Sequence, residues 1–226
     1  QELLIVGGGP IGLEMAQAFA MLGSQVTIVE RGSELARLED PAIRAVLREK
    51  FHQLGITVYT HATVQYVEHD TTAIVNTTAG DYPVPFTKLL LAIGRVPVLP
   101  DGLPAADIKT DERRLLIDSQ HRTSNRAVYA IGDVAQSHKF THTADDVARQ
   151  VVKHITSRGF LRVNRRRAVP KVTYTEPEIA QVGMLEEEAL ALGRRHVARA
   201  HVDLQRGQDQ RRHPQRGVAL LAHGYE

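Results

Sequence analysis

The chain has 226 residues, 42% of them hydrophobic and 24% charged, with a net charge of +2. Those proportions describe a folded globular protein of one large or two modest domains, and no apolar run reaches the roughly 20 residues that a membrane helix needs. Cysteine is absent, which excludes disulfides, thiolate metal sites and a cysteine nucleophile within these residues.

In chain order, Leu3-Leu4-Ile5-Val6 reads as a buried parallel strand, and Gly7-Gly8-Gly9-Pro10-Ile11-Gly12 comes directly after it. Ile11, Met15, Ala18, Phe19 and Leu22 fall at helical spacing, with Gly23 as the stop. Val26-Thr27-Ile28-Val29 is a second strand, ending on Glu30. Asp40 caps and Pro41 opens a second helix, whose buried stripe is Ile43, Val46, Leu47, Phe51 and Leu54. Ile56-Thr57-Val58-Tyr59 then completes a parallel βαβαβ core. Residues 62–69, 72–77 and 82–86 read as an antiparallel flap, and Leu89-Leu90-Leu91-Ala92-Ile93 returns to the parallel sheet.

After a loop-rich stretch, Leu115-Leu116-Ile117 and Ala127-Val128-Tyr129-Ala130-Ile131 read as strands, the second running into Gly132-Asp133. Residues 141–157 form a helix with Ala144, Val147, Ala148, Val151, Val152 and Ile155 on one face. A linker from Arg162 to Ala168 precedes a strand at Lys171 to Thr175, a short helix at Glu186 to Leu192 and strands near 196–204 and 217–222. Arg162 with Arg165 to Arg167, and Arg211 and Arg212 with Arg216, are clusters without stacking aromatics, since aromatics are 5% and Trp is absent. Solvated surface, or a face for a partner segment, suits them better than nucleic acid. The chain opens on Gln1-Glu2 and enters a strand at once, so no signal peptide and no membrane anchor are expected, and a cytoplasmic piece of a longer protein is.

The glycine run carries the first chemistry. Gly7, Gly9 and Gly12 spell GxGxxG between a strand and a helix, where such a loop makes a tight turn, lets backbone approach a diphosphate, and packs helix on strand. The diphosphate then lies on free N–H groups at the positive end of the helix, which Pro10 opens and Ile11 and Gly12 continue. Glu30 stands about 20 residues on, at the strand end from which an acid holds a ribose 2′-OH. A glycine-rich turn that binds nothing is the plainer alternative.

Four blocks in fixed order give the chain a resemblance to the pyridine nucleotide–disulfide oxidoreductases, within their dihydrolipoyl dehydrogenase or mercuric reductase-like branch. They are Gly7 to Glu14, Leu91 to Pro97 with Gly94, Tyr129 to Asp133, and Val169 to Glu178. The resemblance implies an α/β fold. A Rossmann-like three-layer NAD(P)-binding domain with an antiparallel flap would span 1–113, a returning segment of an FAD domain 114–165, and part of an α+β dimerisation domain 166–226. It further implies hydride transfer between NAD(P)H and FAD, then electron transfer to a small-molecule or protein disulfide or related acceptor, in a homodimer. The family's redox cysteines would lie ahead of Gln1 and its His–Glu pair beyond Glu226. The alternative is a nucleotide-binding fragment or sensor without turnover.

The same resemblance implies residue roles. Glu14 matches the family glutamate that pairs with a lysine at the reactive flavin edge, or it is a surface acid. Gly132 and Asp133 match the second flavin motif, with the carboxylate on the ribityl hydroxyls. The helix that begins near Thr141 matches one whose N-terminus faces the flavin pyrimidine, and His142 falls in its first turn. His138 sits four residues before His142, but no third ligand accompanies them and no metal site is expected. Val172 matches the residue whose carbonyl receives the nicotinamide carboxamide, or it is a core strand residue. Pro10 departs from relatives that place a gating tyrosine there, which implies an ungated pocket. Glu30 argues for NAD, while Arg31 and Arg37 stand where NADPH-using relatives place phosphate-binding arginines, so NADP stays open.

Overall fold

A computed structural model describes residues 1–111, 113–136, 139–164, 170–183, 185 and 190–193, together with the backbone of strands at 197–201 and 218–224. The chain divides into two compact units, one formed by Gln1–Gly94 with Lys171–Glu226 and the other by Arg95–Pro170. The boundary at 113/114 expected from the sequence falls inside a hairpin of β8 (Thr110–Asp111) and β9 (Arg114–Leu115), so residues 95–113 pack with residues 114–170.

The first unit is built on a four-stranded parallel sheet. Its strands β1 (Glu2–Val6), β2 (Gln25–Val29), β3 (Thr57–Tyr59) and β7 (Lys88–Leu91) lie in the order β3-β2-β1-β7. Strand β1 pairs with β2 from Glu2↔Gln25 to Val6↔Val29 and with β7 from Leu3↔Lys88 to Val6↔Leu91. The near-continuous apolar runs of the sequence are what a sheet covered on both faces requires. Helix α1 (Pro10–Met21) and helix α2 (Pro41–Gln53) connect the strands. Asp40 caps α2 by accepting the Ala42 N–H at 2.9 Å. Strands β4 (Thr63–Glu68), β5 (Thr72–Thr77) and β6 (Gly80–Pro85) form the expected antiparallel flap.

Two buried apolar clusters hold this unit. Leu3, Ile5, Leu13, Ala16, Val26, Ile28, Ile43, Leu47 and Phe51 pack together with Ile179, and Leu4, Val29, Val75, Val84 and Phe86 fill the flap side. Helix α1 buries a different face from the one its apolar spacing predicts. Gly12, Leu13, Ala16 and Gln17 face inward, whereas Ile11 is 47% and Leu22 80% exposed. Small residues win the inward face because they let the helix axis lie close on the strands, which a stripe of large side chains forbids.

The same unit contains β10 (Pro170–Thr173) from Lys171 onward and β11 (Glu178–Val182), and β11 was not expected from the sequence. They continue into β13 (Val218–Gly224) and β12 (Val197–His201) in the order β10-β11-β13-β12. The expected helix at 186–192 lies mostly outside the described residues, as do residues 165–168 of the expected linker.

The second unit corrects two expectations. Ala127 to Ile131 is no strand; its ladder contact among the described residues is one bridge, Arg122↔Tyr129. The Leu115–Ile117 strand shrinks to β9. Each run finds only a short pairing among the described residues, β9 with β8 and Tyr129 with Arg122. Helix α3 (Thr141–Thr156) forms as expected, but it buries Val151 and His154 while Val152 and Ile155 are at least half exposed.

Candidate functional site

The glycine loop is shaped by what a side chain would strike. Gly7 has φ +111°, and a Cβ there would sit 2.5 Å from the Ala92 carbonyl oxygen at the end of β7. A Cβ on Gly12 would lie 2.0 Å from the Gly7 oxygen, so helix and turn close only on a glycine. Gly9 is different, because nothing lies within 4 Å of its Cβ position. The loop is therefore packed tightly on its inner side and open on its outer side.

Gly9 is the N-cap of α1, and it offers no side-chain oxygen. Pro10 occupies the first helical position, and the first turn holds no acid. The N–H groups of Ile11 and Gly12 have no carbonyl four residues back within the helix. Unblocked donors and the helix dipole together make this end a receptor for an anion.

Glu30 closes the other side. Its Oε2 accepts the Gly8 N–H at 2.6 Å and its Oε1 accepts the Gly32 N–H at 2.5 Å. Its own backbone N–H donates to Tyr59 and its carbonyl accepts from Ala62. The side chain is pinned from both ends, and each carboxylate oxygen keeps a lone pair for a hydroxyl donor. The loop beyond it folds back, with the Ala36 N–H on the Gly8 carbonyl at 3.0 Å. Arg31 and Arg37 are exposed on that loop. Glu39 is 8% exposed and its Oε2 lacks a partner, so burial pushes its carboxyl up to about 7 against the opposing pull of Lys171.

Glu14 and Val172 belong to the same unit. The Glu14 Oε1 accepts the Tyr174 N–H at 2.9 Å, two residues past Val172 on one strand edge. Val172 is half-buried and Tyr174 is 64% exposed, while Thr173 and Thr175 point inward. Gln17, which sequence reasoning did not single out, binds the Glu176 peptide through both amide atoms. A glutamine on the small-residue face of α1 was the available signal, and the larger apolar residues on the other face mask it. Gly94 has φ +128° at the end of the first stretch of this unit.

Gly132, Asp133 and His142 are gathered in the second unit. Gly132 adopts φ +77° and its carbonyl accepts the N–H groups of Ala135 and Gln136. Asp133 pairs with Arg95 at 2.9 Å, and the Lys139 ammonium donates to the Arg95 carbonyl. The Gln136 amide is buried with neither polar atom satisfied. Helix α3 starts at an uncapped Phe140, and His142 in its first turn stacks on that ring at 5.3 Å and bonds the Pro170 carbonyl at 2.7 Å. His138 lies outside the described residues. Among the described residues no group of three or more His, Asp or Glu is placed to hold a metal.

The open anion cradle and the pinned carboxylate fit a dinucleotide. The turn at Gly132, the orphaned Gln136 amide and the uncapped helix start leave polar groups open, as a polar cofactor in the second unit requires.

Residues 1–148 match the family model of the pyridine nucleotide-disulphide oxidoreductases. The chain is 39% identical over 204 residues to a mercuric reductase of Streptomyces lividans, covering 88% of this chain and 43% of that one. It is 36% identical over 199 residues to a dihydrolipoyl dehydrogenase of Haloarcula marismortui, covering 85% and 42%. Among solved structures, the HOCl-induced flavoprotein disulfide reductase RclA from Escherichia coli superposes with a TM-score of 0.78 at 29% identity, covering 89% of this chain and 46% of that one. LpdA from Mycobacterium tuberculosis gives 0.77 at 27%, covering 88% and 44%. The chain thus spans less than half the length of these relatives.

Proposed function

This chain belongs to the pyridine nucleotide-disulphide oxidoreductase family, and from that premise we propose that it carries the nicotinamide-coenzyme site of a flavoprotein oxidoreductase and uses NADH in preference to NADPH. The observation that carries the preference is the pinned Glu30 carboxylate, held by Gly8 and Gly32 where an adenosine ribose arrives. It accepts a 2′-OH and repels a 2′-phosphate. Arg31 and Arg37 are exposed, and solvated arginines return little against a fixed charge.

In this reading Gly9, Ile11 and Gly12 bind the diphosphate with backbone donors, Gly7 lets the loop close on the chain after β7, and Gly94, at φ +128°, turns the chain beyond it. Pro10 starts the helix and leaves the nicotinamide pocket without a swinging gate. Glu14 and the strand of Val172 orient the nicotinamide end. Bound FAD would supply the redox chemistry, as an acceptor for hydride from NADH and a donor of electrons to a disulfide or related acceptor. Gly132, Asp133 and His142 would hold the flavin's ribityl chain and ring edge, with the α3 dipole favouring negative charge there. The division into a coenzyme domain at 1–113, a flavin-domain segment at 114–165 and a dimerisation segment at 166–226 is part of the proposal. So are a homodimer and a cytoplasmic location, which rest on the family resemblance alone.

Separate titrations with NADH and NADPH test the preference. NADH should bind at least about tenfold more tightly, and Glu30→Ala should erase the difference. Equal affinities in the unaltered protein would refute it.

A further inference from the structure

Gln17 is 4% exposed, and both polar atoms of its amide are spent on the backbone N–H and C=O of one distant residue. Nε2 donates to the Glu176 carbonyl at 2.8 Å, and Oε1 accepts the Glu176 N–H at 2.5 Å. Three residues earlier on the same helix face, Glu14 accepts the Tyr174 N–H. Two side chains of α1 therefore grip alternate amides of one extended segment. Just beyond it, Ile179 packs in one apolar cluster with Ile43 and Leu47 of α2, and Pro177 lines a small apolar pocket with them.

A buried glutamine is costly unless both of its polar atoms are paired. An apolar side chain would serve packing on α1 as well, whereas an amide adds direction, since it fixes both the height and the rotation of the peptide that it holds. Glu14 is the fifth residue of α1, about 6 Å along the axis from the diphosphate-binding end. The adenosine half of a bound coenzyme is drawn toward Glu30 at the end of β2. The other half leaves the helix end elsewhere, and the gripped segment offers it Tyr174, 64% exposed.

We propose that Gln17 is a positioning residue for the nicotinamide half of the coenzyme, acting by fixing the Tyr174–Glu176 segment as the wall on which that half rests. The proposal depends on the coenzyme site argued above. It divides the labour on one helix: the first turn binds the diphosphate, and the next turn sets the wall.

The test compares NADH with ADP-ribose, which lacks the nicotinamide, in the unaltered protein and in Gln17→Met. The substitution keeps the volume and removes both hydrogen bonds. NADH affinity should fall about tenfold while ADP-ribose affinity changes by less than about twofold, and the Glu176 amide should exchange its hydrogen faster. An equal loss of both ligands, or no loss of either, would overturn the positioning role. Gln17→Leu, which also removes both hydrogen bonds without adding a buried charge, should show the same selective loss. Should Gln17→Met fail to fold, as read by thermal melting, that second variant decides, and an equal loss of both ligands there refutes the proposal. If neither ligand binds the unaltered protein, the coenzyme site itself is wrong.

Discussion

Different forces hold each of the two units. The unit of residues 1–94 and 171–226 contains both buried apolar clusters and a four-stranded ladder running through β1. The unit of residues 95–170 has short pairings and a polar interior. There His154, 4% exposed, accepts from Arg122 at 3.0 Å through Nε2 and donates to the Leu161 carbonyl at 2.8 Å through Nδ1. That pattern makes it a neutral imidazole with its proton on Nδ1. Arg122 also bonds the Tyr129 hydroxyl at 2.9 Å and lies over that ring at 5.5 Å. The first unit can therefore place its glycine loop by packing and backbone bonds alone. The second is specified by a few side chains, each of which is exposed to loss.

Gly12→Val tests this contrast most severely. The first carbon added would already stand 2.0 Å from the Gly7 oxygen, so the loop must open. The expected cost exceeds about 3 kcal/mol, with loss of measurable NADH binding, read by thermal melting and by titration. Next comes His154→Leu in the polar unit. It strands the Arg122 guanidinium and the Leu161 carbonyl and should cost about 2–3 kcal/mol, seen as faster hydrogen exchange confined to residues 95–170.

Glu39 tests the exception, a buried acid inside the apolar unit. Its carboxyl titrates near 7 when folded against 4.5 when unfolded. The folded state then holds the proton more tightly, so stability is greatest below pH 4.5, falls as the pH rises to about 7, and levels off above that. Glu39→Gln should remove this slope and stabilise the protein by about 2 kcal/mol at pH 8, measured by denaturant unfolding across the range. The smallest effect belongs to Asp40→Ala, which removes the α2 cap and should cost about 1 kcal/mol, read as a lower denaturation midpoint.

The first unit was the more legible one in the sequence, for the reason that makes it the more robust. Strand, glycine run, helix, strand and acid are local signals, and β1, β2 and β3 find one another within about 60 residues of chain. Periodicity still misread α1, because Ile11, Phe19 and Leu22 are the larger residues but Gly12 and Ala16 allow the closer approach. The grip of Gln17 on Glu176 spans 159 positions, and no local pattern reports it. In the second unit, Ala127 to Ile131 has the composition of a strand without the neighbours of one. The ion pair of Asp133 with Arg95 was likewise invisible, because the two residues belong to different motifs.

The function proposed for this chain rests on the glycine loop as an anion cradle beside Glu30. An amide proton–nitrogen correlation spectrum recorded during an NADH titration reads that cradle directly. Saturable shifts should centre on Gly8, Gly9, Ile11, Gly12 and Gly32. Saturable binding with those amides unmoved, and shifts confined to residues elsewhere, would refute the cradle.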